Sequence, residues 1–228
     1  MQLPVVLITG GTRGIGAAVA ESLAPDHHLL IGGRSASSVT EAVASYPSAS
    51  GFVADLASPS EVAAAVAGVE RLDAVVHSAG VLGSGAVADL SRGDWRKTLE
   101  LNVVAVADLT RELLPLLRAA RGTVVTINSG SGLRSNAKGG LYSASKFALR
   151  AFTDALREEE RSHGVRVSGI HPGRVATDMQ RELKQIEGEE YDESLYLKPE
   201  SVAAAVRLAL TIGRDACIEE LSIRPGPR

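Results

Sequence analysis

The chain has 228 residues, of which 45% are hydrophobic and 22% charged, and its formal net charge is −3. This composition predicts a globular protein with a sizeable core and excludes a strongly basic nucleic-acid-binding surface. The single cysteine excludes an internal disulfide, and no signal-peptide pattern or membrane-spanning apolar run is found. We therefore expect a soluble cytoplasmic protein with no membrane or nucleic-acid partner and no metal site.

Short apolar runs alternate with longer helical patterns along the chain. The predicted strands are 5–8, 28–31, 51–54, 73–77, 123–127, 165–170 and 217–223. The first predicted helix follows Gly14, the second lies around 61–69, and the other three cover 99–120, 145–163 and 200–210. Pro115 is expected to kink or break the helix over 99–120. Near-continuous hydrophobic strands separated by helices favour a parallel sheet covered on both faces. The fold class is therefore α/β, with one Rossmann-like, doubly wound, seven-stranded domain over residues 1–228.

The first strand is followed by the glycine-rich sequence TGGTRGIG, residues 9–16. Gly10, Gly14 and Gly16 fall in the turn between this strand and an alanine-rich helix. Glycines at such a turn let backbone amides approach a pyrophosphate at the helix N-terminus. The spacing is neither GxGxxG nor the phosphate-binding loop of nucleotide hydrolases, and the support for a phosphate site comes from the hydrophobic strand before the loop and the helix after it.

The end of the second strand predicts which dinucleotide is bound. A unit that binds NAD(H) carries an acidic residue there for the ribose 2′-hydroxyl. This chain has no carboxylate from Leu29 to Ser38 and instead places Arg34 after two glycines. A guanidinium can pair with a 2′-phosphate, and Arg13 can add a second positive charge. We predict NADP(H) rather than NAD(H); the alternative is that Arg34 is only a solvent-exposed loop residue.

The sequence LYSASKFAL, residues 141–149, places a tyrosine and a lysine four positions apart. On a helix this spacing puts Tyr142 and Lys146 on one face. By itself the spacing favours an ordinary exposed pair, since both residue types are common on helix surfaces.

Six motifs in chain order resemble the compact, single-domain branch of the short-chain dehydrogenase/reductase family. They are TGGTRGIG, HSAG at 77–80, Asn102 in LELNVV, Ser129 in INSGSG, YSASK at 142–146 and HPGRVATDM at 171–179. The resemblance extends over nearly the whole chain. In the second motif the family's usual Asn-Asn-Ala-Gly is replaced by His-Ser-Ala-Gly, and we expect His77 to be a packing residue at the strand end.

The resemblance implies an active site and a cofactor site. The implied catalytic residues are Asn102, Ser129, Tyr142 and Lys146; Ser129 is preferred over Ser131 because it precedes the tyrosine by the family's usual thirteen residues. Asp55 is expected near the adenine, residues 78–80 over the adenosine ribose, and Val175 and Thr177 at the nicotinamide carboxamide. The implied cofactor-binding residues are Gly10, Thr12, Arg13, Gly14, Ile15, Gly16, Arg34, Asp55, Leu56, Ser78, Ala79, Gly80, Tyr142, Lys146, Pro172, Gly173, Val175 and Thr177.

The chemistry implied is hydride transfer between the nicotinamide and a carbonyl or alcohol carbon, with Tyr142 as the proton donor. A phenol has a pKa near 10, and lowering it toward 7 is equivalent to about 4 kcal/mol. Lys146 and an oxidised nicotinamide have the correct charge for this, provided that the site is partly closed to water. By resemblance, Lys146 also binds the nicotinamide ribose, Asn102 holds a water that relays protons, and Ser129 donates to the substrate oxygen.

The segment 178–198 lies where the family places a lid over the substrate. Met179, Leu183 and Ile186 fall at helical spacing, while Tyr191 and residues 195–197 can add apolar wall. We therefore expect a carbonyl reductase for a hydrophobic ketone or aldehyde; the apolar face can alternatively pack on the body of the protein. Alcohol oxidation and a catalytically silent NADP-binding regulator or scaffold are the other functions considered. Family members commonly pair through the two long helices, so a homodimer or homotetramer is expected.

Overall fold

The computed structural model describes residues 2–226. Seven strands form one sheet: β1 (Val5–Thr9), β2 (His28–Gly33), β3 (Ala49–Val53), β4 (Ala74–His77), β5 (Thr123–Ile127), β6 (Arg166–Pro172) and β7 (Glu220–Ile223). All pairings are parallel, and the strand order is β3-β2-β1-β4-β5-β6-β7. The predicted doubly wound fold is confirmed.

Eight α-helices connect and cover the strands: α1 (Gly14–Leu23), α2 (Ala36–Ala44), α3 (Pro59–Ala67), α4 (Arg92–Leu99), α5 (Ala105–Ala120), α6 (Gly140–Glu160), α7 (Asp178–Glu187) and α8 (Pro199–Thr211). Two separate apolar cores lie on the two faces of the sheet. One packs α1 and α8 on strand residues such as Val6 and Ile8, and the other packs α3, α5 and α6 on residues such as Leu7. Neighbouring strand residues face opposite cores because side chains alternate along a strand.

The helix predicted over 99–120 differs from the observed structure. Helix α4 begins earlier, at Arg92, and a π-helical turn over Glu100–Val104 joins it to α5. Pro115 does not break α5, which continues to Ala120. The irregular turn lies instead at Asn102, whose buried side chain bonds to a neighbouring loop; such π-turns are frequent at functional sites. Hydrophobic periodicity does not reveal a turn of this kind.

Among residues 2–226, no helix combines the length and the apolar character needed to cross a membrane.

Candidate active site

The predicted site residues meet at one edge of the sheet. Because all strands are parallel, their carboxyl ends lie together, and ligands of open α/β sheets bind at this edge. The strand ends are level there: Thr9 pairs with His77, and His77 pairs with Thr126. The glycine-rich loop follows β1, residues 78–80 follow β4, Ser129 follows β5, and 173–177 follow β6.

The glycine-rich loop has a shape that only glycine permits. Gly10 and Gly14 have φ values of +63° and +56°, in the left-handed region. A β-carbon at Gly16 would lie 2.2 Å from the carbonyl oxygen of Gly10, so the helix begins in direct contact with the loop. A β-carbon at Gly10 would lie 3.0 Å from Cα of Ala79. The loop therefore packs closely on the turn after β4 and exposes main chain where a pyrophosphate would bind.

Hydrogen bonds hold the turn after β4 in place, although the turn lacks the amide side chains usual in this motif. The buried hydroxyl of Thr9 accepts hydrogen bonds from the backbone amides of Ser78 (3.0 Å) and Ala79 (3.1 Å). His77 is buried and bonds to the Thr110 hydroxyl at 2.9 Å. Burial lowers the pKa of His77 to about 4, so it is neutral at physiological pH. This geometry is that of a packing residue that joins β4 to α5.

The two arginines predicted to bind a 2′-phosphate are both exposed. Arg34 directly follows β2, and within residues 2–226 it forms no ion pair. Arg13 forms an ion pair of 3.6 Å with Asp178 at the start of α7, and both side chains are mostly solvated. Such a pair contributes little free energy and leaves Arg13 available to a stronger anion. Asp55 lies after β3, where its carboxylate accepts a hydrogen bond from the Ala57 amide.

The proposed catalytic side chains are adjacent. Tyr142 is half-buried near the N-terminus of α6 and shares a side-chain hydrogen bond with Ser129. The Ser129 oxygen also accepts a hydrogen bond from the amide of Ser131 at 3.1 Å, which orients the hydroxyl. The backbone of Ser131, the other candidate serine, therefore helps to orient the Ser129 hydroxyl. One helical turn on, Lys146 is buried, and its Nζ lies 5.7 Å from the centre of the Tyr142 ring.

The side chain of Asn102 is held by three hydrogen bonds, which link it to the loop after β4 and to α6. Its side chain accepts a hydrogen bond from the amide of Val81 (2.9 Å) and donates to the carbonyl of the same residue (3.0 Å). It also donates to the hydroxyl of Ser145 at 3.1 Å. The π-turn around Asn102 directs its side chain into this network. Sequence patterns singled out Asn102 but not Ser145, which lies between Tyr142 and Lys146 in the motif.

The pKa of the phenol moves in the opposite direction from the one expected. Burial raises the pKa of Tyr142 to about 12, although its hydrogen bond with Ser129 opposes the increase. Burial also lowers the pKa of Lys146 to about 8, while its Nζ donates to the carbonyl of Ile127 at 2.9 Å. The protein without a cofactor therefore does not lower the pKa of the phenol, and the expected decrease depended on an oxidised nicotinamide as well as on Lys146. The reason is that burial disfavours the charged form of each group, the phenolate of Tyr142 and the ammonium of Lys146.

The predicted lid, residues 178–198, begins with α7 and is tied to the body at its far end. Leu197 bridges to Val175, its amide donating to the carbonyl of Arg174 at 3.0 Å. The residues of α7 that are buried are Gln180 and Lys184, whereas Ile186 is 55% exposed. Ile186 is therefore not packed on the body, whereas Met179 and Leu183 are half-buried and thus partly covered. Tyr191 and Tyr196 stack with ring centres 5.3 Å apart, and Arg181 lies over the Tyr191 ring.

Comparison with known proteins gives consistent results. A family model described as short chain dehydrogenase matches residues 4–188. The putative ketoacyl reductase of the monensin polyketide synthase from Streptomyces virginiae is 32% identical over 96% of this chain and 87% of its own length. An alcohol dehydrogenase from Thermococcus sibiricus, solved with 5-hydroxy-NADP, aligns with a TM-score of 0.89 and 26% identity over the full length of both chains. An actinorhodin polyketide ketoreductase solved with NADPH aligns with a TM-score of 0.90 and 26% identity over 98% of each chain.

Proposed function

The chain belongs to the short-chain dehydrogenase/reductase family of oxidoreductases, and on this basis we propose that it uses NADPH to reduce a hydrophobic ketone or aldehyde. The observation that carries the proposal is the pairing of Tyr142 with Ser129, one helical turn from a buried lysine, at the carboxyl edge of the sheet. A protein that only bound the dinucleotide would not require a serine hydroxyl aligned with a buried phenol.

The glycine-rich loop fits a dinucleotide. Its close packing on Ala79 and the clash that any side chain at Gly16 would cause leave a main-chain surface for the pyrophosphate. In this proposal residues 78–80, beside the loop, contact the adenosine ribose, and Val175 and Thr177, on the loop after β6, contact the nicotinamide carboxamide. Arg34 and Arg13 favour the 2′-phosphate of NADP(H) over NAD(H), in agreement with neighbours that were solved with NADP(H) or an analogue.

In the proposed mechanism the bound nicotinamide supplies the hydride, and the protein handles the proton and the developing negative charge. Ser129 donates a hydrogen bond to the carbonyl oxygen, which stabilises charge as it develops. Tyr142, whose pKa of about 12 keeps it protonated, transfers its proton to the same oxygen. Lys146 then returns a proton to the phenolate, and its pKa of about 8 suits this role near neutral pH. Asn102 fixes the loop at Val81 and, in this proposal, the water that connects Lys146 to solvent.

The lid supports a hydrophobic substrate. Gln180 and Lys184 are buried, Met179 and Leu183 are half-buried and Ile186 is exposed, so in this proposal the apolar side chains of α7 can cover a ligand. Exposed ion pairs, such as that of Arg181 with Glu193 at 3.1 Å, link residues within the lid. The acidic sequence around 187–190 lies on its exposed surface.

We further propose that the protein assembles as a homodimer or homotetramer in the cytoplasm. Val104 and Phe147 are 51% and 43% exposed, on the long helical region around α5 and on α6. Covering such side chains with a second copy would remove apolar surface from water. Light scattering at several concentrations tests this assembly.

The function is tested directly with purified protein. We expect NADPH absorbance to fall when ketones, aldehydes and diketones of increasing apolar size are supplied, with higher kcat/KM for the larger ones. NADP⁺ with the corresponding alcohols tests the reverse reaction. Tight NADPH binding with no turnover across the whole panel would favour the silent regulator instead.

Replacement of Arg34 should change cofactor preference. In Arg34→Asp, a carboxylate replaces the guanidinium, so it repels a 2′-phosphate and can accept a bond from a 2′-hydroxyl. We expect the ratio of kcat/KM for NADPH to that for NADH to fall about tenfold or more. Arg92→Asp, an equal charge change at the start of α4, is the control. An unchanged ratio in Arg34→Asp would refute the assignment.

The pH profile should report Lys146. Because its pKa is lowered to about 8 and its protonated form resupplies the phenol, activity is present below this pH and is lost as pH rises through it. We expect kcat/KM for reduction to be level near pH 6–7 and to fall through one ionisation near 8, well below the pKa of Tyr142. In Lys146→Arg, which stays charged, this decline should disappear from whatever activity remains. Its persistence there would assign the ionisation to another group.

A further inference from the structure

Arg224 lies at the active-site edge of the sheet, although no motif includes it. It directly follows β7, whose carboxyl end lies beside that of β6, where the amide of Gly173 donates to the carbonyl of Ile223 at 2.7 Å. A β-carbon at Gly173 would lie 3.4 Å from Cδ of Arg224, and one at Gly130 would lie 3.2 Å from its Nη2. The guanidinium is therefore packed between the loop after β6 and the residue next to Ser129.

Backbone hydrogen bonds fix the orientation of this side chain. Nη1 donates to the carbonyl oxygen of His171 at 2.6 Å and to that of Ile223 at 2.9 Å. His171 is itself buried, and its Nδ1 lies 3.3 Å from the carbonyl oxygen of Ser129. Arg224 is thus connected through a single residue to the proposed oxyanion donor, and little conformational freedom remains to be lost when a ligand binds.

The other edge of the guanidinium is open. Arg118 and Arg150 use Nε and Nη2 together to hold Glu160 and Glu220, a two-point geometry that matches a carboxylate. In Arg224 neither Nε nor Nη2 is bonded to any residue between 2 and 226, and its charge forms no ion pair there. The side chain is exposed, so a ligand can reach this edge. Within residues 2–226, Arg224 is therefore oriented, forms no ion pair and lies against Gly130, the residue next to Ser129.

We propose that Arg224 is a substrate-specificity residue that binds a carboxylate on the carbonyl substrate. This rests on the proposed reductase function and narrows its substrate to an oxo acid with an apolar body. The carboxylate pairs with Nε and Nη2 of Arg224, while Ser129 and Tyr142 hold the carbonyl oxygen and the lid covers the apolar part. The carbonyl carbon gains a hydride as NADPH becomes NADP⁺, the oxygen gains the Tyr142 proton, and the carboxylate is unchanged.

The test compares oxo acids of increasing length with their methyl esters, which keep the reacting carbonyl but lose the charge. The measured quantity is the ratio of kcat/KM for the acid to that for the ester. We expect the wild-type protein to favour the acid at the best length, and Arg224→Gln to lower the ratio about tenfold to one-hundredfold. Arg224→Lys should retain part of the preference for the acid, because the positive charge is kept but the two-point geometry of the guanidinium is lost.

Arg214→Gln is the matched control, since it removes one positive charge at the amino ends of the strands. There Arg214 donates a hydrogen bond to the carbonyl of Arg121, which precedes β5. This variant should leave the ratio unchanged. An equal loss of acid and ester turnover in Arg224→Gln would show a purely structural role and overturn the proposal. A wild-type protein that reduces no acid faster than its ester would overturn it without any variant. If the protein then still reduces neutral ketones, the proposed reductase function stands. If NADPH is not oxidised with any carbonyl compound, both the reductase function and the role of Arg224 are overturned.

Discussion

Replacing Tyr142 with phenylalanine is expected to lower kcat for carbonyl reduction by about 10²- to 10⁴-fold, the range typical of general acid–base catalysis. The variant removes one oxygen atom, and with it the proton donor and the hydrogen bond to Ser129. The ring remains to pack beside Lys146, so NADPH binding should stay nearly intact. Single-turnover reduction and NADPH fluorescence titration measure the two quantities separately.

Tyr46→Phe is the matched control for this substitution. The Tyr46 hydroxyl donates to the carbonyl of Ala17 at 3.5 Å, and Tyr46 lies just beyond the end of α2, away from the proposed proton donor. We expect its kcat to remain close to that of the wild-type protein. A Tyr142→Phe variant with normal turnover would refute the proposed mechanism, because no other described side chain is hydrogen-bonded to the Ser129 hydroxyl.

Gly16→Ala should weaken NADPH binding more than any other single methyl addition in the glycine-rich loop. The added carbon would lie 2.2 Å from the carbonyl oxygen of Gly10, so backbone must move where backbone forms the binding surface. Overpacking of this kind costs about 2–3 kcal/mol, which corresponds to roughly a 30- to 150-fold rise in the Kd for NADPH. Isothermal titration gives the Kd, and thermal unfolding without cofactor gives the separate change in stability.

Gly68→Ala provides the comparison. Gly68 ends α3 with ordinary right-handed backbone, and a β-carbon there would lie 3.5 Å from the carbonyl of Ala65, a normal contact. The Kd of the Gly68→Ala variant for NADPH should match that of the wild-type protein. If Gly16→Ala also bound NADPH with wild-type affinity, the pyrophosphate would not lie on this loop as proposed.

Hydrophobic pattern and glycine spacing predicted the sheet and its connections because both are local properties of the chain. All seven strands were located to within about four residues at each end, since buried parallel strands read as continuous apolar runs. The packing role expected for His77 is confirmed by its burial and its bond to Thr110. The family resemblance identified Ser129 and Tyr142, and the fold brings these two side chains into contact.

The remaining features depend on contacts between distant parts of the chain. The π-turn at Asn102 follows from bonds to Val81 and Ser145, which no pattern around residue 102 contains. The raised pKa of Tyr142 results from burial, which is a property of the folded molecule and not of the YSASK motif.

For this protein, the sequence by itself determined the number and approximate bounds of the strands and, through the family resemblance, the residues proposed for the cofactor loop and the proton donor, since hydrophobic runs and motifs are local properties of the chain. Only the tertiary structure decided which groups are desolvated and what Arg224 faces. An arginine 95 positions after Ser129 along the chain comes to lie beside it only because parallel strands end at a shared edge.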